Sequence, residues 1–334
     1  MLYFEGEIAS LSLDQRLGGI ARKITLEDGS LFVSNEHQLI AKVFAKKEVA
    51  NRFLHRLESK LSWAVGAFLL VLISGCLFVS FGIPYFSQKI AYASPLRTNE
   101  ILTHHTMKIL DDYLFETSKL SVQKQAELME HFNTNVLPLL PERENFSYNL
   151  NFRLWQDSQN SLPNAFALPS GEIILTDKLI ELCDDYTLLD AIIFHEVGHV
   201  VNRDSLTMLI EGAFISVSVM LALGDLSGFA DLGIGFGSML VSMHYSREHE
   251  RQADLFAYEI MLKNNQDPIA FATIMDKMQH YMEESYGAEN SLEINEYAST
   301  HPQTQERIDL AKHYSQCFKN SITAKDCKNA LQIP

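Results

Sequence analysis

Between Leu61 and Phe86 the chain runs for twenty-six residues without a charge, LSWAVGAFLLVLISGCLFVSFGIPYF. As a helix rising about 1.5 Å per residue it reaches about 39 Å, enough to cross a hydrocarbon core of about 30 Å with tilt. Trp63 and Tyr85 stand near its two ends, where aromatic side chains favour the membrane interface. Upstream the pattern changes. In IARKITLEDGSLFVS two apolar runs flank Asp28 and Gly29, a hairpin signal, so residues 1–45 read as a small, mostly β module and Ala41–Lys60 as a basic helix. Downstream, Leu188, Leu189, Ile192, Ile193, Val197 and Val200 recur at helical spacing and predict a buried helix over 187–203. The apolar stretch 206–243 contains Glu211, Asp225 and Asp231, which oppose insertion; it reads as two core helices, with an apolar surface for the bilayer or a lid.

Charge narrows the picture. The chain of 334 residues has a formal net charge of −15 and is 47% hydrophobic. It therefore has material for a large core, and its net negative charge argues against a nucleic-acid binder, since phosphate contacts need clustered Lys and Arg. Lys42, Lys46, Lys47, Arg52, Arg56 and Lys60 precede the apolar stretch, whereas only Lys89 and Arg97 follow it closely. The positive-inside rule then puts the N-terminal module in the cytoplasm and residues 87–334 outside it. Cys317 and Cys327 lie near the C-terminus; they either pair, if that end meets an oxidising compartment, or are two unrelated thiols.

The candidate chemistry sits in AIIFHEVGHVVNRDS, residues 191–205. His195 and His199 are four apart, so on a helix both imidazoles leave one face and can grip one ion. Glu196 is turned about 100° from His195, beside a metal and not on it, where a general base for a water at the metal belongs. A third histidine six residues after the second is excluded, because Asn202 and Ser205 occupy the positions of the Gly and His in HExxHxxGxxH. A carboxylate from a second helix is the other common solution. In YSREHERQADLFAYEI, residues 245–260, Glu250 and Asp254 share a face; Glu250 is the candidate ligand, with Asp254 accepting from a ligand imidazole. The plain alternative is a solvated face that pairs with Arg247 or Arg251.

Four motifs in order, NAFALPSGEIILTD (164–177), HEVGH (195–199), SREHERQAD (246–254) and STHPQTQERI (299–308), resemble the membrane-associated zinc metallopeptidases. That group includes the HtpX heat-shock proteases, the CAAX prenyl proteases, the mitochondrial Oma-type proteases and BepA-like proteins. The resemblance covers roughly residues 95–315. It implies one Zn²⁺ per chain on His195, His199 and Glu250, with Glu196 as catalytic base and Asp254 behind the ligands. It further implies that Gly171, Glu172, Ile173 and Ile174 form an edge strand to which an extended substrate adds by main-chain bonds. His301 is then the candidate for stabilising the oxyanion, and Arg307 for orienting its loop or binding a carboxylate. His244, just before the second metal helix, is a candidate plug for the open metal position.

The expected architecture is α+β: residues 1–60 as the cytoplasmic module, 61–86 as the transmembrane helix, 95–315 as a helix-rich zincin-like domain with one small sheet, and 316–334 as a tail. The leading functional expectation is a zinc endopeptidase anchored in a bacterial inner membrane by 61–86, its protease domain periplasmic, acting on unfolded or misassembled envelope polypeptides. A chaperone or assembly factor with latent protease activity is the alternative. A zinc hydrolase of another bond, such as a cell-wall amide, comes third.

Overall fold

The computed structural model describes residues 11–14, 20–44, 61–141, 147–155, 161–224, 245–287, 301 and 304–330. Two compact units divide the chain, Met1–Ser80 and Phe81–Pro334. In the first, β1 (Ser12–Leu13), β2 (Arg22–Thr25) and β3 (Leu31–Ser34) form an antiparallel sheet in that order. The β2–β3 turn falls on Asp28 and Gly29: Gly29 has φ +80°, and Asp28 accepts from Ser30 N at 2.9 Å, the local bonding that favours these two residues in turns. Helix α1 (His37–Val43) follows, and its Ile40 packs with Ile24 and Phe44. Most of the expected basic helix, residues 45–60, lies outside the described residues.

The apolar stretch is helical from Leu61 as expected, but it does not stop at Phe86. Helix α2 (Leu61–Leu77) passes through a π turn at Phe78–Gly82 into α3 (Ile83–Ala93). Val65–Ala93 is long and apolar enough to cross a membrane, and only 6% of its most apolar window is buried. Within the second unit, α3 buries Ile83, Ser87 and Ala91 at successive turns.

Helix α4 (Leu96–Tyr113) leads to β4 (Phe115–Thr117) and α5 (Val122–His131). Then come β5 (Asn149–Trp155), β6 (Ala165–Ala167) and β7 (Glu172–Thr176). The sheet order is β4-β5-β7-β6, with β7 parallel to β5 and antiparallel to β6. This corrects the expectation for 171–174. Strand β7 is interior, bonded on both sides, and Ile173 and Ile174 are fully buried; among the described strands the edges are β4 and, beside β7, β6. Gly171 serves the turn between them. Its φ is +101°, and a Cβ there would meet Ser147 O at 2.8 Å, so only glycine fits. Glu172 accepts from Asn149 Nδ2 at 2.9 Å and Asn151 Nδ2 at 2.6 Å, and so braces neighbouring β5.

After α6 (Asp177–Leu182), α7 spans Tyr186–Asn202, with Asp185 accepting from Thr187 N at 2.7 Å as its N-cap. Arg203 then takes the left-handed conformation at φ 56°, and α8 (Asp204–Leu223) begins at once. The Arg203 guanidinium donates to Ala91 O at 2.6 Å and Ser94 O at 3.0 Å, which satisfies carbonyls at the C-terminal end of α3 that the helix leaves open. The expected pair of helices over 206–243 is a single helix as far as Leu223; residues 225–244, including His244, lie outside the described residues. Asp204–Leu221 also has the length and composition of a membrane span, with 39% of its window buried.

Helices α9 (Arg247–Lys263), α10 (Ile269–Tyr286), α11 (Gln305–Lys319) and α12 (Ala324–Ala330) complete the unit. Its main core joins sheet residues such as Ile173 and Leu175 to Ile193, Phe194, Tyr258, Phe271 and Tyr314 from the helices. A Cys317–Cys327 disulfide ties α11 to α12, and both cysteines lie in this core. Of the residues expected as a tail, 316–330 therefore belong to the folded domain.

Candidate metal centre

Helix α7 brings the first two candidate ligands because its apolar stripes bury it between β6 and α9, leaving His195 and His199 2% and 0% exposed. Helix α9 can lie against it closely because Gly198 faces Ala253. A Cβ on Gly198 would stand 2.8 Å from Ala253 Cα. That contact sets Glu250, three residues before Ala253, opposite the two imidazoles.

The donor atoms converge. His195 Nε2 lies 3.1 Å from His199 Nε2 and 3.5 Å from Glu250 Oε2, and His199 Nε2 lies 3.5 Å from Glu250 Oε1. His301, from the loop before α11, joins them: its Nδ1 is 3.3 Å from His195 Nε2 and 3.0 Å from Glu250 Oε1. Ligands about 2.1 Å from a tetrahedral zinc stand about 3.4 Å from one another, so these separations suit one ion of that type. His301 thus lies among the donors themselves, with its other nitrogen, Nε2, 3.4 Å from Glu196 Oε1.

Carboxylates behind the imidazoles fix their orientation. His195 Nδ1 is 2.9 Å from Asp254 Oδ1, and His199 Nδ1 is 2.8 Å from Asp204 Oδ2. Asp204 accepts from His199 Nδ1–H and Asp254 lies against His195 Nδ1, which leaves Nε2 of each ring to face the centre. Asp254 is the residue singled out in sequence for such a contact. The bonding of Asp204 depends on the left-handed turn at Arg203, which no local pattern announces.

Arg307 is the counter-ion of this cluster. It donates to Asp254 from Nε at 2.8 Å and from a terminal nitrogen at 2.7 Å, and its third nitrogen is 2.7 Å from Glu250 Oε2. Buried at 6% exposure, it makes the carboxylate contact expected of it with Asp254 and Glu250 of its own chain; these take all three guanidinium nitrogens, so it is not placed among the substrate-binding residues. Gly171, Glu172, Ile173 and Ile174 leave that set as well, for the reasons given by the sheet.

Electrostatics follow burial and these pairs. Burial by itself would raise the Glu250 carboxyl, but His301 and Arg307 outweigh it and hold the group well below the usual carboxylate range. Burial likewise opposes Asp254, which Arg307 keeps low. His195 is pushed down by burial, against the pull of Asp254. Burial also disfavours charged His199, yet Asp204 and Glu250 overcome it and push that imidazole up to about 10. Glu196 is 2% exposed, and its Oε2 has no hydrogen-bond partner among the described residues. A buried carboxylate oxygen left open beside a metal-type donor set is placed to accept a proton.

Tyr245, just before α9, has no precedent in the sequence reading. Its ring stacks on His199 with centroids 3.9 Å apart and planes 10° from parallel. Only the aromatic residue next to the SREHERQAD motif could have drawn notice to it.

The chain is similar to known metalloproteases. It is 31% identical over 150 residues to the mitochondrial metalloendopeptidase OMA1 of Schizosaccharomyces pombe, a match covering 44% of this chain and 42% of that protein. With the beta-barrel assembly-enhancing protease of Escherichia coli it shares 24% identity over 160 residues, 45% of this chain and 32% of the relative. Metalloprotease LoiP of Escherichia coli is 26% identical over 119 residues, 34% of this chain and 47% of its own. The match thus spans less than half the length of each of these relatives. The model of peptidase family M48 matches residues 133–315, more than half of the 334, and this chain belongs to that family.

Proposed function

We propose that the chain is a membrane-anchored zinc endopeptidase that hydrolyses unfolded or misassembled polypeptides of the bacterial envelope. The observation that carries this reading is the convergence of His195, His199 and Glu250 on one point with Glu196 beside them. Zinc bound there supplies a Lewis acid that polarises the scissile carbonyl. The chain's own residues do the rest. Glu196 takes a proton from the attacking water and returns it to the leaving amine. Asp204 and Asp254 hold the two imidazoles in register, while Arg307 offsets the negative charge gathered behind them. An extended substrate adds to β6, the edge beside α7, through main-chain bonds that are nearly blind to sequence. That suits a substrate defined by its unfolded state. The helix Val65–Ala93 anchors the enzyme, with the N-terminal module in the cytoplasm and the peptidase domain in the periplasm.

One observation favours a second reading, an assembly factor whose peptidase activity is held latent. The His301 ring stands between Glu196 and the metal donors, in the space an attacking water needs. The two readings differ in sign. Purified full-length chain in detergent, loaded with zinc, is expected to cleave casein, and Glu196→Gln to lose about 10²–10⁴-fold while keeping its zinc. His301→Ala lowers the rate if His301 stabilises the oxyanion and raises it if His301 restrains the enzyme. No cleavage by either wild type or His301→Ala would rule out the peptidase reading.

A further inference from the structure

Tyr245 connects two parts of the site that the metal does not. Its hydroxyl lies 2.8 Å from Ser205 Oγ, and Ser205 Oγ donates to the carbonyl of Ala167 at 3.1 Å. A carbonyl has no proton to give, so the single Ser205 proton goes to Ala167, and the Tyr245 hydroxyl must donate to Ser205. The order is therefore Tyr245 to Ser205 to Ala167, beginning at a ring stacked on His199 and ending on strand β6.

The receiving carbonyl belongs to the open side of that strand. Leu168 N–H bonds Glu172 O at 2.8 Å, and Thr176 N–H bonds Asn164 O at 3.0 Å. With Ala165 opposite Leu175 and Ala167 opposite Ile173, the antiparallel alternation turns the backbone groups of both alanines away from β7. Of those outward groups, Ala165 N–H is bound by Asn164 Oδ1 at 2.8 Å and Ala167 C=O by Ser205. Among the described residues Ala165 C=O and Ala167 N–H have no partner; both alanines are buried, at 4% and 5% exposure, so these two groups are reached by a main chain laid directly along β6.

We propose that Tyr245 is a positioning residue that sets the height of β6 above the metal-ligand face. Its ring fixes the plane of His199, and its hydroxyl, through Ser205, fixes Ala167. A polypeptide bonded to Ala165 C=O and Ala167 N–H then presents its carbonyl to the donor set at a constant distance. The substrate half of this proposal rests on the peptidase reading above; the coupling of strand to ligand does not.

The test uses the full-length chain in detergent with Tyr245→Phe, Ser205→Ala, Tyr245→Leu and the Tyr245→Phe/Ser205→Ala double variant. Amide hydrogen exchange over residues 162–168 and zinc affinity, by competition with a chromophoric chelator, are measured beside casein kinetics. Loss of one hydrogen bond corresponds to about a fivefold change. Ser205→Ala, which removes the bond to Ala167, should raise exchange over 162–168 about fivefold and raise KM several-fold; Tyr245→Phe, which leaves that bond but frees the Ser205 hydroxyl, should act in the same direction and by less, with kcat and zinc affinity within about twofold in both. The double variant should do no more than Ser205→Ala alone, because both act on one relay. Tyr245→Leu, which also removes the stacked ring, should weaken zinc binding about tenfold. Unchanged exchange in both single variants, additive effects in the double, or full zinc affinity in Tyr245→Leu would each overturn the proposal. If no variant or wild type cleaves peptide, the peptidase reading falls, and exchange and zinc binding still decide this one.

Discussion

Gly198 is the residue whose replacement tests how the centre is built. An ideal Cβ on Gly198 falls 2.8 Å from Ala253 Cα and 3.1 Å from both Ala253 Cβ and Ala253 O. Carbon atoms in ordinary contact sit about 3.5–4.0 Å apart, so in Gly198→Ala the helices α7 and α9 must part by about 0.7 Å or more. His199 is the next residue on one helix and Glu250 lies one turn away on the other. Metal-ligand distances tolerate about 0.2 Å, so the parting opens the donor set. Overpacking of this kind costs about 1–3 kcal/mol, and alanine returns about 1 kcal/mol of helix propensity over glycine. The metal-free variant relaxes by separating the helices and should melt within a few degrees of wild type. Binding a metal requires the strain to be reimposed. Affinity should therefore fall by about 1–3 kcal/mol, roughly 5- to 150-fold, measured by chelator competition. Adding Ala253→Gly should rescue only in part, because the nearest atom is the backbone Cα, which remains. Zinc affinity within twofold of wild type in Gly198→Ala would refute the argument.

Two further outcomes follow from the charges. Arg307→Ala leaves the buried carboxylates of Asp254 and Glu250 without their counter-ion, and should cost the metal-free protein about 3–5 kcal/mol in chemical denaturation; Arg307→Lys, which keeps the charge and loses the fork, should fall between the two. An Arg307→Ala midpoint equal to wild type would contradict that role. Metal-free His199 titrates at about 10, so at neutral pH it carries a proton on the nitrogen the metal needs, while His195, lowered by burial, is already neutral. Metal binding then expels one proton, and apparent zinc affinity should rise about tenfold per pH unit between pH 6 and 8. A flat profile would show that His199 is already neutral in the metal-free protein, against the pull of Asp204 and Glu250.

What could be read from the sequence was whatever depends on local spacing. His195, Glu196 and His199 are set by one helical period, and the apolar positions around them announce a buried helix. Glu250 and Asp254 follow from the same period on α9 once a motif directs attention there. Strand order is different in kind. Nothing in GEIIL distinguishes an interior strand from an edge, because β5, which pairs with it, comes from residues 149–155. Hence the edge was assigned to β7 when it belongs to β6. The partners of Asp204 and Arg307 are not legible in the sequence for a related reason. They are fixed by a left-handed turn at Arg203 and by the docking of α11, both of which exist only in three dimensions. The end of the apolar helix was misplaced because charge-free length marks where a membrane span is possible, and not where helical structure stops.

The contact between Ser205 and Tyr245 has a consequence for how this chain can change. The two residues are 40 positions apart in sequence, and their hydroxyls meet at 2.8 Å. The stretch between them is thus an excursion stapled shut at its base. Its first turns are committed to the core through Leu206, Met208 and Leu209, but side chains further out, such as Ile215, Val219 and Leu221, are exposed. Lengthening such a closed excursion is entropically cheap, about 0.6 kcal/mol for each doubling. Changes on the exposed side of α8, at Ile215, Val219 or Leu221, can therefore alter what the domain meets without touching a metal donor. The staple makes this stretch the natural place for surface invention, and separates it from the chemistry it borders.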